Sequence, residues 1–94
     1  MLKEKVILTS PIQWDGKEYT ELELDINNIK GRDLIEIQTD MKLSGIPLAS
    51  NMAVDEAYLA RVAAKASGLD TEIIEALQFT DFRKVINIIS GLMF

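Results

Sequence analysis

Hydrophobic and polar residues change their rhythm about a third of the way along the chain. Up to Asp25 they alternate: "EKVILTS" and "EYTELELDI" place Val6 and Leu8, then Leu22 and Leu24, at every second position, which is the period of a half-buried strand. "WDG" between them is a turn signal, so the two segments predict an antiparallel hairpin. A three-residue loop of Trp14, Asp15 and Gly16 sets Val6 opposite Leu24, Leu8 opposite Leu22, Lys5 across from Asp25 and Ile7 across from Glu23. One face is then apolar and the other mostly charged, and Pro11 falls near the loop end of its strand, where a missing N–H is tolerable at an edge.

Beyond Gly31 the spacing lengthens. "IEIQTDMKL" alternates well enough for a third strand, yet Leu34, Ile37 and Met41 also recur at helical spacing. Gly31 before it and Ser44-Gly45 after it read as a helix start and stop, so a helix over 34–43 is preferred and the strand remains the alternative. "SGIPLASN" is a loop by composition, and "AVDEAYLARVAAKASG" is a helix of good formers with Tyr58, Leu59, Val62 and Ala66 on one face and Gly68 as its stop. Asp70 is placed to cap "TEIIEALQ", with Leu69 and Ile74 as a hydrophobic staple, and Thr80 or Asp81 is placed to cap the last helix. The predicted fold is α+β: an N-terminal antiparallel β-hairpin in residues 1–28, then a bundle of three to four short helices in 31–94, as one domain over 1–94.

The closing segment "RKVINIISGLMF" is strongly two-sided. At about 100° per residue, Phe82, Val85, Ile86, Ile89, Leu92 and Met93 share one flank with Ile88 at its edge, and the stripe spans roughly 160°. Phe82, Val85, Ile86 and Ile89 are expected to enter the core. Ile88, Leu92, Met93 and Phe94 exceed what one small core can cover, so some of them are expected to meet another chain.

Charge and chemistry narrow the function classes. Fifteen acidic against ten basic residues give a formal charge of −5 without a basic cluster, which argues against nucleic-acid binding. Histidine and cysteine are both missing, which removes the commonest general base, the usual zinc ligands and any disulfide. Asp33, Glu36 and Asp40, the pair Glu72 and Glu75, and Asp15 with Glu18 read as solvated faces rather than cation sites. The serines have no histidine to activate them, and no glycine-rich phosphate loop occurs, so no enzyme activity, metal or cofactor is expected. The start "MLKEKVILTS" lacks the apolar core of a secretory signal and there is no run of about 18 apolar residues, so a soluble cytoplasmic protein without membrane contact is expected. Trp14 reads either as a binding anchor or, the preferred option, as cover for the small core.

The order of parts resembles a known family. The "PIQWDG" turn region, the "YTELEL" strand, "GRDLIE", and a small-residue helix closing on "ASGLDTEIIEALQFTDFRKVINIISGLMF" are similar to the short tail assembly chaperones of Mu-like tailed phages and prophages. The resemblance covers nearly the whole chain and contains no catalytic signature. It implies a non-enzymatic protein that binds the tape-measure protein, a long helical polypeptide, and keeps it soluble until tail-tube subunits polymerise around it. On that reading Tyr58, Val85, Ile88, Ile89, Leu92, Met93 and Phe94 are the candidate partner-binding residues, with self-association as a further use of the same surface. A structural tail component and a small protein-binding adaptor or inhibitor are the competing functions.

Overall fold

In the computed structural model, which describes residues 3–94, the chain first reverses at Asp15 and Gly16. Both residues take positive φ, 54° and 79°, as the tightest hairpin turns require, and Asp-Gly is a sequence suited to that geometry. The loop is therefore two residues long, not three, and Trp14 ends the first strand opposite Lys17. The hairpin consists of β1 (Lys3–Trp14) and β2 (Lys17–Asp25), paired antiparallel.

The expected register is corrected. Val6 lies opposite Leu22 rather than Leu24, Leu24 opposite Glu4, and Ile7 opposite Glu21. The cause is a bulge between Ile7 and Ile12, where the four residues Leu8, Thr9, Ser10 and Pro11 of β1 face the single residue Thr20 of β2. Pro11 thus sits in the bulge, where its missing N–H breaks no ladder bond. The faces are as the alternation predicts: Val6, Leu8, Leu22 and Leu24 are buried, and Lys3–Glu23 and Lys5–Glu21 ion pairs lie on the exposed side.

A 3₁₀ turn at Ile26–Asn28 leads into the helical half, whose members are α1 (Gly31–Leu43), α2 (Glu56–Ser67), α3 (Thr71–Glu75) and α4 (Phe79–Met93). The ambiguous 34–43 segment is helical, with Ile37 and Met41 buried and Leu34 packed beside them. Its first turn is closed by Asp33, which accepts the Lys30 N–H at 2.8 Å.

α2 is the centre of the fold, packing on α1, α3, α4 and β2. Four of its seven buried residues are alanines, which lets neighbouring helices approach closely. It ends at Gly68 (φ 71°), where the Leu69 N–H reaches the Ala64 carbonyl at 3.0 Å, so the sequence stop is a left-handed cap. Strand, helix and loop side chains share one hydrophobic cluster, with Leu24, Met41, Leu59, Ile74, Val85 and Ile89 among its most enclosed members. Asp70 stands at the N-cap of α3 but makes no side-chain cap bond. Among the described residues no helix is long and apolar enough to cross a membrane.

Candidate interaction surface

The start of α4 is anchored by a buried carboxylate. Asp81 is fully buried and accepts the Thr9 N–H at 2.9 Å, the Thr9 hydroxyl at 2.9 Å and the Ser10 N–H at 3.1 Å. The two N–H groups are free because the β1 bulge withdraws them from the ladder. Burial pushes the Asp81 carboxyl up, but the Thr9 and Ser10 hydrogen bonds and the nearby Lys84 charge outweigh it and hold the group below its ordinary value. Neither Thr80 nor Asp81 caps α4; Gln78 does, its side-chain oxygen accepting the Thr80 N–H at 2.9 Å. The expected cap at Asp81 fails because its carboxylate is turned to the hairpin.

The same helix is fixed at two further points. Arg83 pairs with Glu56 at the start of α2, and the Ser90 hydroxyl donates to the Ala53 carbonyl at 2.9 Å in the 3₁₀ turn Met52–Val54. That turn is in turn held by Asp55, which accepts the Tyr58 N–H at 3.0 Å and the Ala49 N–H at 2.7 Å. α4 is therefore clamped at both ends, and its last turn is presented on a supported base.

The candidate partner-binding residues divide into two groups. Tyr58, Val85 and Ile89 are buried core residues, so in this conformation they lie beneath the surface rather than on it. Burial also raises the Tyr58 phenol, partly offset by a hydrogen bond with Gln38. Ile88, Leu92 and Met93 are half-buried, with Ile88 and Met93 packed against the core, and Phe94 is 67% exposed. Trp14 is half-buried at the end of β1.

Other exposed apolar residues were not foreseen. Ile35, Leu43, Leu48, Val54 and Phe79 all stand in solvent. Ile35 and Leu43 lie off the Leu34, Ile37, Met41 stripe, and that displacement was their signal in the sequence. Ile35, Ile46 and Leu48 line an apolar groove beside α1. The acidic stripe on the far side of α1 has other work: Asp33 caps α1 and Glu36 approaches Lys65 of α2 at 3.9 Å.

The architecture is a hairpin braced against a helical half, with Phe94 exposed at the end of the last helix. The chain belongs to the family described as phage tail assembly chaperone proteins, E, or 41 or 14, whose model matches residues 5–93. No curated protein and no solved structure matches it.

Proposed function

We propose that this chain is a non-enzymatic chaperone for the tape-measure protein, which it holds soluble in the host-cell cytoplasm until tail-tube subunits close around it. Membership of the tail assembly chaperone family supports the general role. The observation that carries the choice of surface is the end of α4, where Phe94 is 67% exposed and Leu92 and Met93 are half-buried on a helix clamped from below. A client with an apolar helical stripe needs apolar side chains held in place, and a reactive group adds nothing to that task. Ile88, Leu92, Met93 and Phe94 form the contact, while Tyr58, Val85 and Ile89 set the position of the helix that bears them.

Co-expression with the tape-measure protein of the same phage tests the proposal. The client is expected to move from the insoluble to the soluble fraction and to co-purify with this chain. Equal insolubility with and without it, and no recovered complex, contradicts the reading. Recovery of the chain in stoichiometric amount from finished particles supports a structural tail component instead.

A further inference from the structure

α1 makes its main packing against α2 through the flank that carries Leu34, Ile37 and Met41. Its other flank, with Ile35, Gln38, Thr39 and Lys42, joins Ile46 and Leu48 of the following loop around an open groove of about 450 Å³. The groove is built in advance. The Ile46 N–H donates to the Met41 carbonyl at 2.8 Å, and Asp55 ties the Ala49 N–H to the start of α2 at 2.7 Å. Walls that are already ordered spare a ligand that ordering cost.

Two features select the occupant. Ile35, Gln38, Thr39 and Lys42 share one flank of α1 and Ile46 and Leu48 follow in the loop, so the groove runs along about 10 Å of the α1 axis, the length of two helical turns, and offers a ridge for a second helix to pack on. Lys42 is the only charged side chain in the lining, and among the described residues it makes no ion pair. The chain as a whole carries −5, so an acidic residue on a ligand is attracted here and repelled over most of the remaining surface. A second copy docked groove to groove about a two-fold axis brings the two Lys42 ammonium groups together, which disfavours that occupant.

We propose that this groove is a second docking site, taking an amphipathic helix of the client whose apolar stripe covers Ile35, Ile46 and Leu48 and whose flanking carboxylate meets Lys42. The proposal deepens the chaperone reading and rests on it. Two separate apolar sites on one small chain let it hold a long helical client at two points, with the gain in strength that linkage brings.

The test is titration of the full chain with overlapping 20-residue peptides that tile the tape-measure protein of the same phage, followed by fluorescence anisotropy. A peptide with an apolar helical stripe and a flanking acid is expected to bind. Ile35→Ser with Leu48→Ser should weaken it at least tenfold, and Lys42→Gln at least threefold with loss of its salt dependence. Leu92→Ser with Phe94→Ser should leave that peptide within twofold. The altered groove side chains are 66% and 39% exposed, so an unchanged circular dichroism melt is expected for the groove variant. If peptides bind but ignore the groove variants, the groove assignment is overturned and the chaperone reading stands. If neither peptides nor the intact tape-measure protein bind, both fall. Sedimentation showing a dimer that only the groove variant abolishes assigns the groove to a second copy and also overturns the proposal.

Discussion

Asp81 and Thr9, 72 residues apart in sequence, are joined by two hydrogen bonds of 2.9 Å, one from the Thr9 backbone N–H and one from its hydroxyl. The contact explains two irregularities together. β1 bulges where its N–H groups turn toward α4, and α4 takes its cap from Gln78 because Asp81 is committed to the hairpin.

Asp81→Ala should therefore destabilise the fold by about 3 kcal/mol, since it leaves buried donors of Thr9 and Ser10 without a partner. Asp81→Asn should recover only part of this, because its amide group sets a donor against donors. Urea denaturation of the three proteins checks the order.

The same carboxylate gives a pH dependence of known sign. Its folded pKa lies below the unfolded value, so its contribution is complete above about pH 4, the usual unfolded value for Asp, and shrinks as pH falls toward the folded pKa, because the unfolded chain takes up the proton first. The wild type should lose more stability than Asp81→Asn between pH 5 and 3, an interval set by that same ordinary Asp value of about 3.9. Denaturant midpoints across that interval measure the difference, and parallel curves exclude Asp81 as the cause.

Gly16→Ala should cost about 1 kcal/mol, because φ is 79° there and no atom lies within 4 Å of the added methyl, which leaves backbone strain as the whole effect. Asp15→Asn should be neutral, since Asn-Gly suits the same turn. Thermal melts of both variants separate the two outcomes.

The faces of the fold were legible in the sequence and its register was not. Val6, Leu8, Leu22 and Leu24 announce a buried strand face through alternation alone, and Leu34, Ile37 and Met41 mark the buried side of α1. The bulge turns the Thr9 and Ser10 N–H groups to Asp81, far along the chain, and although Pro11 marks an irregular point in the strand, it does not fix the size of the shift. The surface was half legible. Phe94 is exposed, and Val85 and Ile89 enter the core as the inner stripe of the closing segment predicts, so their place among the contact residues does not hold in this conformation, nor does that of Tyr58, which is sealed by its neighbours.

Asp55→Ala should cost about 1–2 kcal/mol through loss of the α2 cap. It also releases Ala49, so amide exchange should quicken at both Ala49 and Tyr58 while the β2 amides remain protected. Hydrogen exchange read residue by residue distinguishes this local loosening from general unfolding.

Photo-crosslinking from the two ends of α4 tests the central claim most directly. The photoreactive residue p-benzoylphenylalanine is placed at position 94 or, as a control, at position 79, whose native Phe79 is also exposed, at 74%. The two positions lie about 22 Å apart along the helix. Co-expression with the tape-measure protein should give a cross-linked product from position 94 and little or none from position 79. Equal yield from both positions, or none from position 94, contradicts the account.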